Sequence, residues 1–385
     1  MNRPWIRPRL SLSLCCWALL LGGCQSAADR FYAQGEQALA AGNAVRAMVA
    51  FNHARALRPD QLRYHTGAWR ARARFLAESA ERVTTDNQED SRFELDQLLA
   101  AEPHNAVYLT ALAHVQAHAG ELEEARRSLD EAVKADGRSV LALSARAALL
   151  SRSTSKVDDA LAAWGAVVAV SPDSFAAHLA LGRLYLLKKD SAREVDELRT
   201  AQRLDPRSYA AAEALGDAYL HAAQGARADD ERQARLLDAF KAFGQAASLS
   251  PESAEPHWGL AMIQIQAARW AQAEQELRAA MKGRRRPEMD LQLGLAVARQ
   301  GRCLEAIPMF QLFLREEPEH PAALLELGAW AASLGRRDEA LGYYRRLLGL
   351  PVPPEGDGHR AEALLRNRLV EARVAALTGK PEKKA

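Results

Sequence analysis

Leu-Gly pairs that return at a fixed interval constrain this chain more than any other feature. Leu181-Gly182 and Leu215-Gly216 stand 34 residues apart, and so do Leu293-Gly294 and Leu327-Gly328. Alanines at 125 and 160, and again at 239, 273, 306 and 340, keep nearly the same spacing within each set. Prolines 59, 103, 172, 206, 251 and 318 punctuate the segments between them. A period in this range is the mark of a repeat array, in which one unit is too small to bury its own apolar face and neighbours supply the core by stacking. Proline lacks an N–H and disfavours helix in the residue before it, so each of these prolines is expected to end a helix. Gly42, Gly120, Gly301 and Gly335 fall midway through their periods, where a turn between two helices needs a positive φ.

Composition narrows the function. The 385 residues carry 51 Lys+Arg against 49 Asp+Glu, a formal charge of +2, so the chain has no field to steer polyanions and nucleic acid is not an expected partner. With 48% hydrophobic and only 6% aromatic residues, an Ala- and Leu-rich all-α chain is expected.

Within one period the order is fixed. Leu181, Gly182, Tyr185, Leu198, Ala201 and Pro206 illustrate it. This order resembles the tetratricopeptide repeat, a helix-turn-helix unit of 34 residues. The resemblance implies an all-α, right-handed α-solenoid of about nine helix-turn-helix repeats with a C-terminal capping helix. Repeats are placed at 28–61, 60–105, 106–139, 141–174, 175–208, 209–253, 254–286, 287–320 and 321–354, so the solenoid covers 28–354. Small residues at the eighth and twentieth places would let the two helices approach closely. Repeat two departs from the pattern, with Thr66 where Leu is expected and about ten extra residues around Thr84–Ser91. Repeat six has an excess near Gln224–Ala234. Either insertion can lengthen helices or form a polar loop. Pro308 is placed near the first turn of its helix. Residues 355–378 are assigned to the cap, with Ala361, Leu364, Leu365, Val370, Val374 and Leu377 on one apolar face. A disordered basic tail is expected over 379–385.

The N-terminus carries an address. Arg3, Arg7 and Arg9 precede an apolar run from Leu10 to Leu21, which is shorter than the roughly 20 residues that span a bilayer. Leu21-Gly22-Gly23-Cys24 follows and resembles the lipobox of bacterial lipoproteins. That resemblance implies a signal peptide over 1–23, a palmitate-type lipid anchor on Cys24 and a short linker to residue 27. Gln25, in place of the Asp that retains enterobacterial lipoproteins in the inner membrane, implies the outer membrane, with the protein facing the periplasm. Cleavage would remove three arginines and no acid, taking the formal charge from +2 to −1. Cys303 would then be the one thiol besides Cys24, and it reads as a helix-start or turn residue.

No nucleophile, base or metal constellation appears, so no enzyme activity, cofactor or metal is expected. His114 and His118 share a helix face without a third ligand. The basic groups Lys282, Arg284, Arg285, Arg286 and Arg70, Arg72, Arg74 are solvated faces or sites for an acidic partner. Function is therefore expected at a surface. In the family, ligands lie in the concave groove along the first helix of each repeat, at about the second, fifth, ninth and twelfth places. Carried over, these places give Trp258, Met262, Ile265, Leu291, Leu295 and Leu325 as a partner-binding groove. Leu179, Arg183, Leu186, Tyr32 and Tyr64 stand at such places in earlier repeats. Packing between repeats is the alternative role for these side chains. The expected function is a lipid-anchored periplasmic scaffold or assembly factor of a cell-envelope machine, of the pilus-secretin or exopolysaccharide-export type. An adaptor for a periplasmic protease or peptidoglycan hydrolase is the alternative.

Overall fold

The computed structural model describes residues 13–354 and 359–378. Over these the chain forms 19 α-helices and two 3-10 turns, Ala80–Arg82 and Thr154–Lys156, with no β-strand among the described residues. It divides into two compact units, Met1–Lys189 and Asp190–Ala385. Residues 1–12 of the expected signal peptide (1–23), the start of the cap (355–358) and the tail (379–385) lie outside the described residues, as does the side chain of Cys24.

The first unit holds α1 (Ser13–Ala40), α2 (Ala44–Leu57), α3 (Leu62–Ala77), α4 (Thr85–Ala101), α5 (Ala106–His118), α6 (Leu122–Ala135), α7 (Val140–Ser151), α8 (Val157–Val170) and α9 (Phe175–Leu187). The second holds α10 (Ser191–Leu204), α11 (Tyr209–Gly225), α12 (Asp229–Leu249), α13 (Ala254–Gln266), α14 (Trp270–Gly283), α15 (Pro287–Arg299), α16 (Cys303–Glu316), α17 (Pro321–Ser333), α18 (Arg337–Leu348) and α19 (Arg360–Thr378). Within each unit successive helices pack against one another in chain order, as stacked helix hairpins of tetratricopeptide type do. Among the described residues no helix is long and apolar enough to cross a membrane.

Local chemistry sets these boundaries. The side chains of Asn105, Ser139, Ser174 and Ser208 each accept a backbone N–H at the start of α5, α7, α9 and α11. At the turns inside hairpins, Gly42, Gly120, Gly301 and Gly335 have φ of 76°, 84°, 83° and 72°, as their positions implied. Between repeats the proline carbonyls are answered by side chains. His65 bonds to the Pro59 carbonyl (2.9 Å), His178 to that of Pro172 (2.8 Å) and His257 to that of Pro251 (3.1 Å).

Packing rests on small residues facing large rings. The Phe51 ring is fully buried between α1 and α3, so a Cβ built on Gly35 or on Gly67 would stand 2.6 Å from it. Phe243 repeats the arrangement between α11 and α13, at 2.6 Å from Gly216 and 2.5 Å from Gly259. Gly294 faces Phe310 and Gly328 faces Tyr344 in the same way. Burying each of these rings contributes about 1.5–3 kcal/mol, and only the missing Cβ atoms make room for it.

Several expectations need correction. Repeat two starts at Leu62, not at residue 60, because its first helix begins three residues after Pro59, as α5 does after Pro103. Ala68 then takes the seventh place, and the Thr66 hydroxyl donates to the Leu62 carbonyl at 3.1 Å. Pro308 is the sixth residue of α16, one turn deeper than expected. With no N–H, Pro308 omits the helical bond to the Leu304 carbonyl. Both insertions mainly lengthen helices, giving α4 17, α11 17 and α12 21 residues. On α19, Val370 and Ala363 are buried, and Val374 and Leu377 lean on the core cluster that contains Tyr344 and Leu347. Leu364 and Leu365 point away from that contact, and Leu365 is 67% exposed.

Candidate partner-binding surface

The six side chains expected to line a groove sit on α13, α15 and α17 of the second unit. Leu291 is only 8% exposed and belongs to the core, so it is not open to a partner. Trp258, Ile265, Leu295 and Leu325 are half-buried and lean on the cluster built around Leu293, Phe310 and Leu327. Met262 is also half-buried. Trp258 has further company within the chain. It packs beside Met281 and buried Met289, and the Arg286 guanidinium lies over its ring at 5.4 Å. Leu325 also borders a cavity of about 770 Å³ that Pro321, Leu350 and Pro353 close on one side and Leu365 and Leu369 on the other.

A set of acids on α10, α11 and α13 was not read from the sequence. Asp217 and Glu255 stand at the ninth and second places of α11 and α13, with Glu213 one turn before Asp217. Asp217 is exposed to solvent, yet the protein around it removes enough water to push its carboxyl up; His221 opposes that rise, while Glu194 and Glu255 add to it. Glu194, on α10, is 2% exposed and meets the His221 Nδ1 at 3.2 Å. That hydrogen bond raises the imidazole pKa of His221 against the opposing effect of burial. The other carboxylate oxygen of Glu194 is buried with no hydrogen-bond partner. The signal was available as three acids at helix places otherwise read for apolar anchors.

The first unit fills the corresponding places differently. Asp29 on α1 pairs with Arg63 on α3, and the Tyr64 hydroxyl donates to the same carboxylate at 2.8 Å. Glu36 pairs with Arg70 at 2.8 Å. Tyr64 is fully buried, and Tyr32 stacks edge-on against Phe51, so neither tyrosine is an open anchor. In repeat five Leu179 is half-buried, while Arg183 and Leu186 are exposed.

The basic groups are largely committed within the chain. Arg70, Arg72 and Arg74 pair with Glu36, Glu94 and Glu78. Arg285 holds Asp290 through two bonds, at 3.1 and 3.0 Å, and Arg286 covers Trp258. His114 is buried, with its Nδ1 2.8 Å from the Leu76 carbonyl, while His118 is exposed, so the two do not form a pair. Burial pushes the His114 pKa down. Among the described residues no group of three metal-ligating side chains occurs. Cys303 opens α16, with its sulfur 4.0 Å from the Ala298 carbonyl.

Sequence profiles of the tetratricopeptide repeat match residues 145–209 and 291–358, and a second profile of the same repeat matches 232–291. No curated protein matches the chain. Among solved structures, a thermophilic tetratricopeptide repeat protein of Thermus thermophilus is 20% identical, with a TM-score of 0.36, covering 50% of this chain and 92% of its own. PilF of Pseudomonas aeruginosa is 19% identical, with a TM-score of 0.46, covering 66% and 99%. A tetratricopeptide repeat protein of Parabacteroides merdae is 14% identical, with a TM-score of 0.40, covering 71% and 99%. Proteins built from this repeat are generally non-enzymatic, and both matching profiles describe the repeat itself. With its period, its turn glycines and its helix hairpins in agreement, the chain is a tetratricopeptide repeat protein, a scaffold for protein–protein interaction.

Proposed function

We propose that this scaffold is anchored through a lipid on Cys24 at the outer membrane, faces the periplasm, and assembles a cell-envelope machine of the pilus-secretin or exopolysaccharide-export type. The observation that carries the binding part is the half-buried apolar strip of Met262, Ile265, Leu295 and Leu325 on the first helices of successive hairpins. Apolar side chains kept partly open in a row favour a partner that covers them. Support for the anchor comes from Leu21-Gly22-Gly23-Cys24, with Gln25 after it. A diacylated cysteine supplies the two chains that stable attachment needs.

Metabolic labelling with an alkyne fatty acid tests the anchor. The parent should be labelled and fractionate with outer membranes, while Cys24→Ala should be unlabelled and remain an uncleaved precursor. Labelling of the Cys24→Ala chain would overturn the anchor. Affinity capture with the lipidated protein should recover envelope assembly components, and the Met262→Ser/Ile265→Ser variant should lose them. Capture of a protease or peptidoglycan hydrolase instead would favour the adaptor role.

A further inference from the structure

We propose that the open side of the first hairpin, α1 with α2, lies on the membrane surface that holds the Cys24 lipid. Its valines meet the boundary of the acyl chains, and Arg46 meets the headgroups of anionic phospholipid. This rests on the anchor reading above.

The first line of argument is an open cavity at the start of the array. It measures about 610 Å³ and is bounded on α1 by Phe31, Gln34 and Ala38 and on α2 by Arg46, Val49 and His53. Among the described residues no helix precedes α1, so this side of the hairpin has no stacked neighbour, whereas α3 packs on the other side. Val45 and Val49, one turn apart on α2, are left 56% and 54% exposed. Apolar groups held open beside a cavity favour a cover that accepts them.

Charge on this side has one sign. Between Cys24 and Pro59 the acids are Asp29 and Glu36, against Arg30, Arg46, Arg55 and Arg58. Both acids are paired with arginines of α3, Arg63 and Arg70, and neither lines the cavity. Arg46 does line it and is exposed in the first turn of α2. Valines beside an arginine, with no carboxylate in the lining, suit the layer where apolar side chains enter a bilayer and cations meet phosphate.

The third line is the path from the lipid. α1 runs unbroken from Ser13, through residue 24, to Ala40. Seven residues, close to two helical turns, separate Cys24 from Phe31 and Phe31 from Ala38. The three positions therefore fall on one strip of α1, the strip that borders the cavity. Along the helix Phe31 stands only about 10 Å from residue 24, and Ala38 about 20 Å. A helix gives such a link no slack, so a bilayer that holds residue 24 is within reach of the whole strip.

Site-specific photocrosslinking tests the proposal. Val49→p-benzoylphenylalanine is introduced into the full chain in cells grown with radiolabelled phosphate. Val45 receives the same substitution in a second strain, in case the first variant melts early. Leu187, 54% exposed on the last helix of the first unit, receives it in a third. After irradiation and denaturing purification, the chains altered at Val49 and Val45 should carry radiolabelled phospholipid, and the chain altered at Leu187 should carry none. In phosphatidylcholine vesicles, adding phosphatidylglycerol should raise the lipid crosslinked at Val49, and Arg46→Gln should cut that gain up to about fivefold. Equal lipid at Leu187, or protein in place of lipid at Val49, would overturn the docking. Equal yields with and without phosphatidylglycerol would overturn the preference for anionic headgroups. No lipid at either valine overturns the docking whether or not Cys24 is acylated, and fatty-acid labelling of the same samples then shows whether the anchor falls with it. Lipid on Val49 in a chain whose Cys24 is unacylated would remove the anchor and leave the docking standing.

Discussion

At Ala268 and Lys189 the backbone takes φ of 54° and 56°, the left-handed conformation that glycine holds at four other turns inside hairpins. A Cβ in that region costs roughly 1–2 kcal/mol, part of which glycine returns through its freedom in the unfolded chain. Ala268→Gly should therefore stabilise the protein by about 0.5–1 kcal/mol, read as a higher melting temperature. An unchanged or lower melting temperature would show that the turn carries no strain. Gly216 presents the reverse case. Its Cβ would fall 2.6 Å from the Phe243 ring, which is buried and has no room to retreat. Gly216→Ala should cost about 1–3 kcal/mol, and combining it with Phe243→Leu should recover part of that loss. The turn glycines could be read directly from the sequence, because a residue type matched a backbone need. The turn at Ala268 could not, because alanine gives no sign of the φ imposed on it.

Between elements, the α10–α11 contact should respond to pH. The Glu194 hydrogen bond raises the pKa of His221, so the stability from this pair is fully present below the unfolded histidine value of about 6.5. It is lost as pH rises through the higher folded value. Thermal melts should fall between about pH 6 and pH 8 by more in the parent than in His221→Gln, and equal slopes would remove the pair from the account. At the other end of the unit, α19 covers α18 through Val370, while Arg373 donates to the Tyr344 hydroxyl at 3.4 Å. Val370→Asp should cost about 2 kcal/mol or more and open α17 and α18 to protease first. A uniform increase in cleavage along the chain would contradict that. Helix existence and the hairpin turns were legible from the period. The register of repeat two was not, because Thr66-Gly67 imitates a Leu-Gly place while the spacing from Pro59 sets the true start. Nor were the outward leucines of α19 legible, since a helix with apolar residues on two faces looks, in a list of apolar positions, like one broad face.

On the scale of the whole molecule, each unit carries its own core and its own use of the same repeat places, with charge pairs inside the first and an open apolar face on the second. Trp258 shows why the second face was only partly readable. Its place in the repeat implied a ligand anchor, yet packing beside Met281 and Met289 and cover from Arg286 give it a structural load that only the folded neighbours reveal. Trp258→Ala should therefore lower stability by about 2–3 kcal/mol as well as weaken any partner. Met262→Ala should cost less in melting and so give the cleaner test of binding. A Trp258→Ala protein that melts like its parent would return that side chain to the binding face alone. The ring of Phe243, set against glycines of two successive repeats, also constrains how such a chain can diverge. A side chain gained at Gly216 or Gly259 is tolerable only if the ring shrinks, and a smaller ring leaves a void against the other glycine. The three positions are thus expected to change together along a lineage or not at all, and a repeat exchanged by recombination should be accepted only when its neighbour brings the matching gap.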